Sequence, residues 1–205
     1  LALDGGRKLL NEGIFNWTGG SLIYLGQNPT GTSVGGATII NALGATFNDA
    51  VAGTINNGSG TNAFNNAGTF QTSFASGTTT IGVTFNNTGS VQVGTGGTLN
   101  LSGGGTSTGG SFTGGGTLQF SSGYTFDAAS TISTANAIFS AGTTTLAGTY
   151  SATNTTLSGG ALTTGSSPIT LGTNFTHAAG TLSGSGTVTV TGLSSFTGVS
   201  TYMVE

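Results

Sequence analysis

Phe64-Asn65-Asn66-Ala67-Gly68-Thr69-Phe70-Gln71 returns 21 residues later as Phe85-Asn86-Asn87-Thr88-Gly89-Ser90-Val91-Gln92. One further step of 21 reaches Gly110-Ser111-Phe112, in register with Gly68 and Gly89. A second pair, Gly96-Gly97-Thr98-Leu99-Asn100-Leu101-Ser102 and Gly115-Gly116-Thr117-Leu118-Gln119-Phe120-Ser121, is offset by 19. Farther along, Phe139 to Leu146 echoes Phe74 to Ile81 at an offset of 65, close to three turns of this length. Self-similarity at such a period is the mark of a solenoid. Within each repeat a Gly is followed by Thr, Ser or Ala, then by alternating apolar and polar residues, as in Gly186-Thr187-Val188-Thr189-Val190. Alternation over a few residues between Gly or Asn boundaries predicts strands of about 3–5 residues.

The repeat therefore predicts an all-β fold, a parallel β-helix with coils of about 19–22 residues. Coils stacked at the strand spacing of ~4.8 Å place equivalent residues above one another. Phe70, Val91 and Phe112 then form an interior apolar column. Asn65 over Asn86, and Asn66 over Asn87, form side-chain amide ladders. Gly68, Gly89 and Gly110 take corner conformations closed to residues with a Cβ. A β-sandwich has no reason to repeat its chemistry at this spacing, and the length gives on the order of ten coils. Residues 14–205 are assigned to the solenoid. Residues 1–13, with Arg7, Lys8, Leu9, Leu10 and Glu12, are read as an N-terminal cap or linker segment, open to either a short helical turn or a cap. A longer period is suggested by Asn16-Trp17-Thr18-Gly19-Gly20-Ser21 against Ser195-Phe196-Thr197-Gly198-Val199-Ser200, offset by 179, as in a larger tandem array.

Composition removes several functions. Charged residues are 3% of the chain and Lys and Arg total 2, so no basic patch exists to bind nucleic acid or an anionic membrane surface. No apolar run approaches the ~18 residues of a spanning helix, so no membrane insertion is expected. The 40 Gly against 2 Pro, without a Gly-X-Y period, exclude collagen. With no Cys there is neither disulfide nor thiolate metal site. The chain opens at Leu1 without an initiator Met, which points to processing or to a piece of something longer. A surface with so few charges offers little resistance to association.

Segments such as Phe85 to Val91 and Gly97-Thr98-Leu99-Asn100-Leu101-Ser102-Gly103-Gly104-Gly105 resemble the repeats of large bacterial secreted β-helix proteins, the autotransporter passengers and filamentous-haemagglutinin-like adhesins. The resemblance covers about Asn11 to Gly198. It implies a right-handed β-helix exported to the cell surface as a stalk, adhesin or fibre. The chain departs from complete members in showing no translocator barrel or secretion cap.

Chemistry-bearing residues are sparse. The acids are Asp4, Glu12, Asp49, Asp127 and Glu205, with Asp49 and Asp127 isolated in sequence. A β-helix enzyme acting on polysaccharide needs clustered carboxylates, so no catalytic residue, cofactor or metal ligand is assigned. His177, the single histidine, is read as marking a turn. Six Asn-x-Ser/Thr triplets, at Asn16, Asn57, Asn86, Asn100, Asn154 and Asn174, follow from composition. Thr78-Thr79-Thr80, Thr143-Thr144-Thr145 and Thr187 to Thr191 raise an ice-binding alternative, weakened because the runs look scattered. Trp17, Tyr24, Tyr124, Tyr150 and Tyr202 raise a glycan-binding one. The expectation is a non-enzymatic, extracellular structural repeat protein. It associates with itself end to end and has a glycan or a host or cell surface as its other partner.

Overall fold

The computed structural model describes residues 1–166 and 168–198 and the backbone of residues 202–204. Parallel strands stack as a β-solenoid of about 10 turns, with no helix among the described residues. Each turn carries strands on three walls. The first wall begins with Arg7–Asn11, Ala37–Asn41, Asn62–Asn66 and Thr84–Asn87; the second with Ile14–Trp17, Thr46–Asp49, Thr69–Thr72 and Ser90–Gln92. The third begins with Leu22–Leu25, Thr54–Asn57, Gly77–Ile81 and Gly97–Leu101. Later strands such as Ser111–Phe120 and Thr131–Phe139 run through two walls and pair with each other on both, through a register shift between Gly114 and Thr117.

Strand alternation makes the interior. Asn62–Asn66 buries Asn62, Phe64 and Asn66 and turns Ala63 and Asn65 outward. Stacking then converts alternation into columns. On the third wall Ile23, Ile55, Ile81, Leu101, Phe120, Phe139 and Leu157 lie in successive register, all buried. On the second, Phe15, Phe47, Phe70, Val91, Phe112 and Ile132 lie in successive register, all buried but the terminal Phe15, which is partly covered. There Phe15 stacks on Phe47 at 4.7 Å between centroids, and Phe47 on Phe70 at 5.7 Å. Burying a side chain of this size contributes roughly 1.5–3 kcal/mol, so these columns are the main source of cohesion.

Coil length is less uniform than the 19–22 residues expected. Asn11 and Asn41, which pair in register, are 30 residues apart, and Asn41 and Asn66 are 25 apart. The spacing settles at 21 between Asn66 and Asn87, and falls to 18 between Asn136 and Asn154. The extra residues lie in corners, where they do not disturb wall pairing. Surface connections tolerate such insertions at low entropic cost.

The helical turn considered within residues 1–13 is a strand. Gly5 and Gly6, at φ of +67° and +77°, turn the chain into Arg7–Asn11, which pairs with all five residues of Ala37–Asn41. Leu9 and Asn11 then point inward at strand spacing, and the pairing outweighs a weak helical preference.

Two sequence echoes prove not to be structural equivalents. Thr78-Thr79-Thr80 lies on the third wall and Thr143-Thr144-Thr145 on the first. Asn16 and Trp17 lie on the second wall and Phe196 on the third, while Val199 and Ser200 fall outside the described residues. All three walls share one alternation grammar, so a short match identifies a strand without identifying its wall.

Candidate functional site

The most regular polar feature is a buried amide ladder on the first wall. Asn11 Nδ2 donates to Asn41 Oδ1 (2.7 Å), Asn41 Nδ2 to Asn66 Oδ1 (2.7 Å) and Asn66 Nδ2 to Asn87 Oδ1 (2.8 Å). Asn11, Asn41 and Asn66 each use the second Nδ2 hydrogen on a backbone carbonyl at the next corner, of Thr46, Thr69 and Ser90 respectively. Every rung thus joins two coils and ties wall to corner. Such satisfied networks fix register, because a slip leaves each buried amide unpaired. The Asn66–Asn87 rung was expected from the repeat. Asn11 and Asn41 were missed because their spacings of 30 and 25 residues fall outside the 21-residue period.

Asn65 and Asn86 also pair, Asn86 Nδ2 donating to Asn65 Oδ1 at 2.9 Å, but on the outer surface. Thr106 Oγ1 extends that row by donating to Asn86 Oδ1 at 3.2 Å. A third amide row, also exterior, joins Asn136, Asn154 and Asn174 through bonds of 2.9 and 2.7 Å. Phe70, Val91 and Phe112 stand in register and fully buried.

Gly68, Gly89 and Gly110 require a different explanation from the one the sequence suggests. None lies in the left-handed region. A Cβ on Gly68 would strike the carbonyl oxygens of Ala42 and Ala45. One on Gly89 would strike that of Gly68, and one on Gly110 the Asn87 amide and Ser107 hydroxyl. Neighbouring coils press the corner backbones together, and the coil below, not the residue's own φ, excludes a side chain.

The carboxylates stay apart. Asp49 is fully buried, accepting a hydrogen bond from Thr79 Oγ1 and another from Val51 N (2.9 Å). Asp127 holds a corner, its Oδ1 accepting from Ser130 Oγ (2.6 Å) and Gly109 N (3.0 Å). The Gly109 N–H, then the Ser130 hydroxyl, holds its carboxyl below the usual range. Four coil steps, about 19 Å at the strand spacing, separate Asp49 from the turn carrying Asp127, so they form no acid–base pair. Among the described residues no three His, Cys, Asp or Glu side chains cluster as metal ligands. Glu205 lies outside the described residues.

His177 is inside rather than at a turn. It belongs to the strand Asn174–Ser183, fully buried between Leu157 and Phe196 in the third-wall column. Nε2 meets the Gly180 carbonyl at 3.1 Å and Nδ1 has no partner. The aromatic groups considered for sugar stacking are mostly enclosed. Trp17 is buried with Nε1 donating to the Gly20 carbonyl (2.6 Å). Tyr124 donates to the Thr106 carbonyl, and Tyr150 shares a hydrogen bond with Thr155. Burial drives the Tyr124 and Tyr150 hydroxyls well above the usual range. Tyr24 is half-buried, and the Tyr202 side chain lies outside the described residues.

Hydroxyls are better ordered than the scattered Thr runs suggest. On the second wall Ser90, Ser111, Thr131 and Thr149 form one outward column on consecutive coils, beside Thr113 and Ser133, which pair in register with each other. The pattern was hidden because each coil contributes only one or two of these hydroxyls, and the runs Thr78-Thr79-Thr80 and Thr143-Thr144-Thr145 belong to other walls.

None of the family models matches the chain, and no curated protein or solved structure matches it significantly.

Proposed function

We propose that the chain is a structural unit of a secreted bacterial surface fibre, stalk or adhesin, non-enzymatic and stacked end to end with further solenoid units. The observation that carries this reading is the unbroken stack. Parallel register runs along the third wall from Ala2–Leu3 to Leu193–Phe196, around buried apolar columns. About 10 turns at ~4.8 Å per turn make a rod on the order of 50 Å long. At one end of the described columns Phe196 is 53% exposed and Leu193 70%, and at the other Phe15 is only partly covered. A further coil would bury these rings and pair the strand edges, which otherwise invite association.

Electron microscopy of the purified chain tests the reading. Filaments with an axial repeat near 4.8 Å are expected. Isolated short rods at all concentrations would overturn end-to-end stacking. The aligned hydroxyl columns favour a second reading, a solenoid that binds ice; thermal hysteresis from such isolated rods would select it.

A further inference from the structure

The apolar side chains that face solvent are confined to the two ends of the solenoid. Among the described residues every exposed large hydrophobic lies within residues 1–43 or 188–196, and none on the coils between. Leu10, Ile14 and Leu22 face outward on the three walls of the first coil, where the same columns continue as Ile40, Thr46 and Thr54. At the other end Leu193 faces outward, and Phe196 and Val188 are the last inward residues of the third and second walls. A solenoid that ends free in water needs a polar terminal coil, and exposed apolar surface gathered in one place marks an interface.

The strand edges at the two ends match wall for wall. Among the described residues nothing pairs with the outer edges of Ala2–Leu3 on the third wall, Arg7–Asn11 on the first and Ile14–Trp17 on the second. The free edges at the other end are Leu193–Phe196 on the third wall, Tyr202–Val204 on the first and Val188–Thr189 on the second. Tyr24 N donates to the Leu1 carbonyl (2.9 Å), which sets Leu1 below Ile23 at the start of the third-wall column that ends at Phe196. Both ends of this column are open, Leu1 being 55% exposed and Phe196 53%. Beside Leu1 lies an open hollow of about 370 Å³, lined also by Phe15, Trp17 and Ile23.

A second copy that continues the solenoid head to tail uses all of these features. With Ala2–Leu3 of one copy set on Leu193–Phe196 of the other, Leu1 meets Phe196 in the shared column. Lys8 to Leu10 then fall in parallel register on Tyr202–Val204, since both strands belong to the same first-wall columns. Ile14–Trp17 stands above Val188–Thr189 with one coil step open between them, on the side of the hollow. Joining two like ends does not achieve this. One copy is then inverted, so its walls run round the axis in the opposite order and at most one wall faces its own kind. Its edge strands also meet the partner's antiparallel, whereas the strands of the solenoid are parallel throughout. A head-to-tail contact is heterologous and repeats without closing, which is the symmetry of a filament.

We propose that the first and last coils form a directional, head-to-tail junction between copies of this chain, in which Phe196 of one copy packs against Leu1 of the next and the first and third walls pair through. The proposal rests on the end-to-end stacking proposed above and adds its polarity and its register.

End-blocked variants of the full chain test it by analytical ultracentrifugation. Leu1→Asp puts a charge on one end and Phe196→Asp on the other. Leu193→Asp, at a side chain already facing solvent, repeats the second block without touching the core. Where the wild type forms filaments, each blocked variant alone is expected to sediment as a monomer with the wild-type circular dichroism. An equimolar mixture of Leu1→Asp with either variant of the other end should give a dimer and nothing larger, because one open head meets one open tail. A blocked variant that dimerises alone would show like ends joining. One that still forms filaments, or a mixture that stays monomeric, would show that these residues do not carry the junction. Each of those results overturns the proposal while leaving end-to-end stacking in place, whereas single rods from the wild type would overturn the stacking itself.

Discussion

The first four coils and the last four solve the same stacking problem differently. In the early coils the length varies, from 30 residues between Asn11 and Asn41 to 21 between Asn66 and Asn87, yet the side chains repeat closely. Asn stands over Asn for four levels and Phe over Phe for three. In the late coils the spacing is nearly constant, 18 residues from Asn136 to Asn154 and 20 from Asn154 to Asn174. There the columns are chemically mixed. Beyond Asn87 the amide column continues as Ser107, Phe126, Leu146 and Thr164, and the third-wall column runs Phe139, Leu157, His177, Phe196. Backbone pairing and inward volume therefore suffice to stack a coil. Repeated identity adds a register lock, and coil length is absorbed at corners.

The largest effect that would sharpen this contrast is loss of a stacked ring. Phe70→Ala removes a fully buried ring between Phe47 and Val91 and should cost about 3–5 kcal/mol. Urea unfolding would read it. If the early coils unfold first while the amide circular dichroism of the late coils survives, the two regions are separate cooperative units. A single transition would show one unit.

A smaller effect is expected in the ladder, where the comparison can be broken outright. Asn66→Leu imitates the apolar residues that occupy this column in later coils. It leaves one Asn41 Nδ2 hydrogen without its acceptor and takes from Asn87 Oδ1 one of its two donors, Gly89 N remaining, and an unsatisfied buried group costs about 1–3 kcal/mol. In Asn66→Leu/Asn87→Leu the cost should be less than the sum of the singles, because their shared bond is lost only once. Strict additivity would mean that the rungs act independently and lock no register.

The smallest effect is with pH. Asp4 and Asp127 both have carboxyls held below their ordinary range, chiefly by backbone N–H donors from Val34 and Gly109. A folded value below the unfolded one means stability is fully present above the unfolded value of about 3.9 and is lost as pH falls through the folded value. The melting temperature should stay level from neutral pH down to about 5, then fall slightly below about 4. In Asp4→Asn the part of the fall due to Asp4 should vanish, and that due to Asp127 should remain.

Much of this architecture was legible in the residues themselves. The exact return of Asn-Asn-x-Gly at 21 residues placed Asn66 below Asn87, Phe70 below Val91 and Gly68 below Gly89. Periodicity reads contacts only where spacing is constant, which is why Asn11 and Asn41 were invisible and why Thr78 and Thr143 looked equivalent. The matching ends were illegible for a related reason. Leu1 and Phe196 share no repeat, and only the run of pairings from Ala2–Leu3 to Leu193–Phe196 sets them at the two ends of one column.

The sequence by itself determined that strands alternate, that coils recur and that almost no charge is available, because these are local or one-dimensional properties of the chain. The tertiary structure alone decided which wall each strand joins, which asparagines are buried, that Asp49 and His177 are interior, and where the few charged groups lie. Those outcomes depend on how many residues each corner consumes. A corner can gain or lose residues without disturbing the hydrogen-bonded walls on either side of it.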